Sequence, residues 1–328
     1  MSDSILVIGG AGYIGSHVVQ TFLKANYRVT VFDNLSSGQE INLFKQARFI
    51  PGDIQNREQL KELFTEKFDA VIHLAALKAA GESMEIPEQY AYQNINGTMN
   101  LLEAVSLSQT RIVVFSSSAA VYGMPNYLPL DENHPVDPIN FYGFTKYEVE
   151  RFLGWYDRLK GIKFASLRYF NAAGYDPGGE ILGLEIAPAN LIPVVMETAA
   201  GIRAEMSVFG DDYPTPDGTG IRDYIHVSDL ARAHLLAYQK IQNTAQSLIL
   251  NLGTGKGHSV LEIISMAERI TGRKLNYTVT KRREGDPAEL YTGLKVARET
   301  LGWEPEFSDL ESLVKTTWQV YQHPFNRK

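Results

Sequence analysis

The chain contains no cysteine in 328 residues. Disulfides, cysteine-ligated zinc and thiol catalysis are therefore excluded. Basic charge is also in short supply: 31 Lys and Arg face 38 Asp and Glu, a net charge of -7. With no basic face apparent, that balance argues against nucleic acid or an anionic membrane as partner. No apolar run reaches the roughly 18 residues of a membrane span. The opening "MSDSILVIGG" lacks the charged region and cleavage site of a secretion signal. The seven histidines show no HExxH or paired spacing, so no metal is expected. His73, on an apolar run, reads as a core residue. These absences set the expectation of a soluble, cytoplasmic protein.

What is present is a regular alternation. "SILVIGG", "YRVTVFDN", "ARFIPGDI", "DAVIHLAAL", "RIVVFSSSAAVYG" and "KFASLRYFNAAG" read as strands. Helical patterns such as "SHVVQTFLKAN" separate them. Strands alternating with helices imply right-handed crossovers and a parallel sheet. Ligands then bind at the carboxyl ends of the strands. After about Gly174 the texture changes to stretches rich in Gly, Pro and Asp, such as "GDDYPTPDGTGIRDY". The expected fold is α/β: a Rossmann-like doubly wound parallel sheet with a smaller α/β substrate-binding domain. Residues 1–174 form the first domain and 175–328 the second, with return segments to the first left open. "LGTGKGHS" resembles a phosphate loop, but its spacing fails that motif. It reads as a turn before a helix at Val260.

"GGAGYIG" places Gly9, Gly12 and Gly15 after a strand and at the opening of a helix. Glycines there let the backbone approach a pyrophosphate, and the helix N-terminus offers unpaired N–H groups. Asp33 lies 18 residues after Gly15, at the end of the second strand. A carboxylate there accepts the ribose hydroxyls of an adenosine and repels a 2′-phosphate. No Lys or Arg follows in "DNLSSGQ", so NAD is favoured over NADP. Asp53, after the third strand, is a candidate adenine contact.

Ser116 to Ser118 end a strand at the ligand edge, and Tyr142 and Lys146 follow in "YGFTK". Four residues apart on a helix, the phenol and the ammonium share one face. Poising a tyrosine near neutrality requires roughly 4 kcal/mol. An ammonium about 6 Å away contributes roughly 3 kcal/mol at an effective dielectric of about 20. An oxidised nicotinamide adds more, and desolvation opposes both. The sum is expected to make Tyr142 a base that takes a hydroxyl proton while hydride leaves the same carbon for NAD.

Over essentially its whole length the chain resembles the extended short-chain dehydrogenase/reductases, and within them the UDP-glucose 4-epimerases. The resemblance rests on "GGAGYIGSH", "DNLSSG", "VIHLAALKAAGES", "FSSSAAVYG", "YGFTK", "RYFNAAG", "FGDDYPTPDGTGIRDYIHVSDLA" and "RREGD". It implies a retained NAD, a 4-keto intermediate and return of hydride to the other face of the sugar. It also implies a homodimer. By position it implies a catalytic set of Tyr142 as base, Lys146 as its electrostatic partner and Ser118. Cofactor contacts are implied at Tyr13, Ile14, Asp33, Asn34, Leu35, Ser36, Ser37, Gly38, Asp53, Ile54, Leu74, Ala75, Ala76, Leu77, Lys78, Gln93, Asn94, Ser116 and Phe170. The UDP-sugar site maps to Asn171, Asn190, Leu191, Ser207, Val208, Phe209, Arg222, Arg283, Glu284, Gly285 and Asp286, together with Lys78, Ser118 and Tyr142. Arg222 and Arg283 are suited to clamp the diphosphate. Leu290 stands where the family gates room for the sugar 2-substituent: tyrosine restricts N-acetyl sugars, cysteine or serine admits them. Leucine is intermediate, which leaves other UDP-sugars (N-acetyl, pentose or uronate) as alternative substrates. A sugar-nucleotide 4,6-dehydratase needs an acid/base pair where this chain has Ala119 and Ala120.

Overall fold

The computed structural model describes residues 2–283 and 285–326. In chain order the first elements are β1 (Ser4–Ile8), α1 (Tyr13–Lys24), β2 (Arg28–Asp33), β3 (Arg48–Pro51), α2 (Arg57–Leu63) and β4 (Ala70–His73). Next come α3 (Glu82–Glu85), α4 (Pro87–Tyr90), α5 (Gly97–Leu107), β5 (Ile112–Ser118), α6 (Phe141–Lys160), β6 (Lys163–Tyr169) and β7 (Asn171–Ala173). The remainder comprises α7 (Leu191–Ala200), β8 (Met206–Phe209), β9 (Ile221–His226), α8 (Val227–Thr244), β10 (Leu248–Leu252) and β11 (Gly257–Ser259). It ends with α9 (Val260–Thr271), β12 (Tyr277–Thr280), β13 (Glu289–Leu290), α10 (Lys295–Leu301) and α11 (Leu310–Gln322).

The chain divides into two units. The first gathers Met1–Gly123, Pro135–Arg168 and Ala231–Leu250; the second gathers Met124–His134, Tyr169–Leu230 and Asn251–Lys328. In the first, seven strands lie in the order β10-β6-β5-β4-β1-β2-β3. The β1–β2, β1–β4, β2–β3 and β4–β5 pairs are parallel. β1 and β4 are continuous apolar runs because a parallel sheet buries both faces. Strand order reverses beside β1, so the crevice for a ligand falls at its carboxyl end. One core layer packs Leu101, Leu102 and Val105 of α5 and Val149 and Leu153 of α6 on Leu6, Val71 and Val113.

The second unit holds a small sheet, β11-β9-β13 with β7 also on β9, and a parallel β8–β12 pair. Its core joins Ile192 and Val195 of α7, Ile263 and Ile264 of α9, and Leu313 and Trp318 of α11.

Two elements differ from the sequence reading. "KFASLRYFNAAG" is not one strand: it breaks at Phe170, and β7 pairs with β9 in the smaller sheet. Within "LGTGKGHS", Gly257–Ser259 form β11, antiparallel to β9, rather than a turn. A Cβ on Gly257 would stand 2.2 Å from the Ile221 side chain, so only glycine allows that close pairing. The helix does open at Val260, capped by Ser259 and Glu262 in a reciprocal box. Among the described residues no helix is long and apolar enough to cross a membrane.

Candidate active site

The glycine loop joins β1 to α1, and its three glycines have different reasons to be there. Gly9 has φ of +82°, and a Cβ on it would lie 2.7 Å from Ala75 N. A Cβ on Gly15 would lie 2.0 Å from Gly9 O. Both are demanded by the protein's own packing. Gly12 is extended, and a Cβ there would meet only Gly9 O, at 3.4 Å. Packing therefore does not require glycine at Gly12. The first turn of α1 has no side-chain cap and no acidic residue. Tyr13 and Ile14, half-buried, begin that turn.

Asp33 closes β2 and is nearly buried. Its carboxylate accepts Ala11 N at 2.9 Å and Leu35 N at 2.8 Å, tying the glycine loop to the next loop. Two of its roughly four acceptor positions stay available. Gly38 packs against Ala11 and Asp33. Asn34 donates to Asp53 at 2.9 Å and accepts from Ser36 N at 2.9 Å; Ser36 and Ser37 are exposed. Ile54 belongs to the core. The segment Leu74, Ala75, Ala76, Leu77 and Lys78 follows β4, with Leu74 N bonded to Ile8 O at 2.9 Å. Asn94 lies in a single π-helical turn, Ala91–Asn96. Its amide accepts Leu77 N at 2.8 Å and donates to Leu77 O at 3.0 Å and Thr145 Oγ1 at 3.0 Å. Its side chain therefore sets the position of the 74–78 segment. The neighbouring Gln93 is half-buried against Gln55.

Ser118 ends β5, and Tyr142 and Lys146 lie in the first two turns of α6. Asn140 caps that helix by accepting Gly143 N at 2.8 Å, and the Tyr142 N–H donates to the buried Ser83 at 3.0 Å. Sequence reasoning missed Ser83, whose only local signal is a small polar residue in "GESME". Ser118 stands beside the Tyr142 phenol and favours its ionised form, while its own hydroxyl accepts Ala120 N at 3.1 Å. Lys146 Nζ donates to Ser116 O at 2.7 Å and stands 5.8 Å from the Tyr142 ring centre and 4.8 Å from that of Phe115. Burial pulls this lysine down to about 7, partly resisted by Glu150. Burial pushes the Tyr142 phenol above its usual range, and Ser118 pulls it back only in part. Among the protein's own side chains, desolvation outweighs the influence of Ser118; the expected shift toward neutrality included the charge of an oxidised nicotinamide as well as Lys146. His73 Nε2 is 2.8 Å from Thr98 Oγ1, and Nδ1 is buried without a hydrogen-bond partner. Burial and the Lys146 charge lower His73 to about 3, so it stays neutral.

The remaining expected residues lie in the second unit. Phe170 is buried, its N–H on Leu252 O at 3.2 Å. Asn171 donates to Asp223 O at 2.9 Å. Asn190 precedes α7 without capping it, and Leu191 opens the helix. On β8, Ser207 and Phe209 face outward, whereas the Val208 side chain is in the core and leaves only its backbone for a ligand. Arg222 on β9 pairs with Asp286, and Leu290 is its register partner on β13. The expected diphosphate clamp and the expected sugar gate are therefore neighbours. Arg283 stacks on Phe209 at 3.8 Å, and Gly285 turns the chain at φ of +73°. Glu284 lies outside the described residues. The carboxylate of Asp223, which sequence reasoning missed, accepts Thr254 N, Gly255 N and Thr254 Oγ1 at 2.7–3.1 Å.

A family model described as the NAD dependent epimerase/dehydratase family matches residues 5–253. The chain belongs to that family. The UDP-glucose 4-epimerase of Streptococcus mutans serotype c is 44% identical over 319 residues, with 96% of each chain covered. UDP-glucose 4-epimerase from Brucella ovis, solved in complex with NAD, matches with a TM-score of 0.94 at 43% identity. That match covers 97% of this chain and 98% of the other. The enzyme from Bifidobacterium longum, in complex with NAD+ and UDP, gives 0.93 at 35% identity, covering 99% of this chain and 100% of the other.

An NAD-dependent epimerase/dehydratase must seat a dinucleotide, and this chain's residues fit one. The space a Cβ on Gly12 would enter lies at the uncapped start of α1, where a pyrophosphate finds N–H donors. Asp33 keeps acceptor capacity for ribose hydroxyls at the end of β2.

Proposed function

We propose that the protein is a UDP-glucose 4-epimerase, interconverting UDP-glucose and UDP-galactose through a 4-keto sugar. The observation that carries this reading is Tyr142 flanked by Ser118 and by the buried Lys146, whose Nζ stands 5.8 Å from the phenol ring centre, in a family where a UDP-glucose 4-epimerase is 44% identical to this chain. In this reading the first unit is the NAD-binding domain and the second binds the UDP-sugar. Gly12, the first turn of α1, Asp33 and the 74–78 segment hold the cofactor. Arg222, Arg283 and Asn171 hold the UDP.

Bound NAD supplies a hydride acceptor and, in the return half-reaction, a hydride donor. Tyr142 Oη takes the proton from the sugar's C4 hydroxyl as the C4–H bond breaks, and gives it back to the ketone oxygen once the sugar presents its other face. Ser118 donates a hydrogen bond to the same region and holds the phenol in line. The Lys146 ammonium, 5.8 Å from the phenol ring centre, opposes the desolvation cost of the phenolate.

The test is product analysis of purified protein given UDP-galactose and UDP-GalNAc separately, without added cofactor. UDP-glucose should form in the first. Formation of UDP-GlcNAc in the second would extend the substrate range through the leucine at the gate, Leu290. Absence of isomerisation of either, in protein that holds NAD, would sink the reading. A homodimer in the cytoplasm accompanies it. The apolar side chains exposed on α5 and α6, Leu107, Phe144, Trp155 and Leu159, are suited to such an interface. Light scattering should return twice the chain mass.

A further inference from the structure

Tyr142, Lys146 and Glu150 recur every fourth residue of α6 and so share one face. Glu150 is as buried as Lys146. Its Oε1 accepts the Ser117 hydroxyl at 2.5 Å and Arg168 Nε at 3.0 Å; its Oε2 accepts Arg168 Nη2 at 2.6 Å. Arg168, on β6, also donates through Nη1 to the Tyr122 phenol at 2.8 Å. A buried ion pair is rarely the most stable filling of such a space, because well-packed apolar residues often do as well or better. Its position offers a different reason for it. The groups that face Lys146 are Tyr142 and Glu150 from α6, the Ser116 carbonyl and Phe115 ring from β5, and His73 from β4, with Arg168 of β6 behind Glu150. His73 is neutral. Of these groups, Glu150 is the one that brings negative charge toward the ammonium before Tyr142 ionises.

We propose that Glu150, locked by the Arg168 fork and the Ser117 hydroxyl, is a positioning residue that keeps Lys146 protonated for proton transfer at Tyr142. The inference rests on the roles given to Tyr142 and Lys146 above. It gives a reason for a carboxylate on this face: burial pulls the proton off Lys146, and a fixed carboxylate one turn away resists that pull in part. Arg168 in turn engages both oxygens of Glu150 and fixes their direction. The hydroxyl of Ser117 fastens Glu150 to β5, the strand that also carries Ser116 and Ser118.

The test uses NAD-loaded protein, with two variants and two readouts. Glu150→Gln removes the charge and keeps the shape. Glu150→Gln/Arg168→Met removes both charges, which keeps the test open where an unpaired Arg168 prevents folding. In each, the Lys146 amine is titrated by NMR on lysine-labelled protein, its signal assigned by its loss in Lys146→Met. The alkaline limb of kcat against pH is recorded in parallel. Glu150→Gln should lower the amine midpoint by about one unit or more, and the alkaline limb should move to lower pH with it. The double variant should move both the same way by less. A folded variant whose amine midpoint and alkaline limb stay at the wild-type pH overturns the inference. Full turnover by Tyr142→Phe would instead overturn the underlying roles, whatever the titration gives.

Discussion

Tyr142 shows how little a spacing motif says about chemistry until the neighbours are known. Its hydroxyl partner Ser118 and its cationic partner Lys146 were legible as residue types at the right separations. The balance among them was not, because burial is a property of the whole fold. Desolvation raises the phenol and lowers the lysine at the same time. Removing the phenolic oxygen should abolish the proton acceptor without disturbing the seat of the substrate. Tyr142→Phe should lose about 10²–10⁴-fold in kcat, with KM for UDP-galactose changed only a few-fold. Steady-state kinetics on the NAD-loaded variant checks this. A kcat near the wild-type value would assign the proton to another group.

At the scale of elements, the sequence was most readable where one strand runs into one turn and one helix. β1, the glycine loop and α1 were all placed by pattern, and Asp33 by its distance from them. Contacts between elements far apart in sequence were not readable. Asn94 spends no side-chain capacity on solvent because its amide is taken up by Leu77 and Thr145, the latter 51 residues away. Ser83 supports the start of α6 across 59 residues. No local periodicity carries such pairings. Neither did it show that three similar glycines answer to different demands. Gly15→Ala drives a methyl into Gly9 O and should prevent stable folding or lower the melting temperature severely. Gly12→Ala meets ordinary contact in an extended conformation, so its melting temperature without cofactor should hold or rise slightly, by up to about 1 kcal/mol of stability. It should nonetheless lose NAD affinity, because the methyl projects where the pyrophosphate must approach. Thermal melts paired with calorimetric NAD titration separate the two effects. If Gly12→Ala bound NAD as tightly as the wild type, the cradle would lie elsewhere.

For the molecule as a whole, composition foretold the class, and alternation foretold the sheet. The second unit was harder, since β7, β11 and β13 are short and gain their strand character only from pairing with β9. Composition was also silent on the cost of burying titratable groups, which governs stability against acid. His73 is held neutral down to about 3, whereas an unfolded histidine takes up its proton near 6.5. Between those values the unfolded chain binds the extra proton, so stability falls as the pH drops. By pH 4.5 the loss from this residue is about 3 kcal/mol. His226, lowered to about 4, acts in the same direction. Asp223, raised by burial to about 6, acts in the opposite one, because the folded carboxyl takes up its proton first. In the second unit these two partly offset each other. His73, in the first, has no such counterweight among the three. A His73→Gln variant, which keeps an amide donor for Thr98 and cannot titrate, should therefore lose less melting temperature than the wild type between pH 7 and pH 4.5. Parallel losses in the two proteins would mean that His73 is already protonated in the folded chain, and with it that the surroundings of Lys146 are more open to water than the burial of both residues allows.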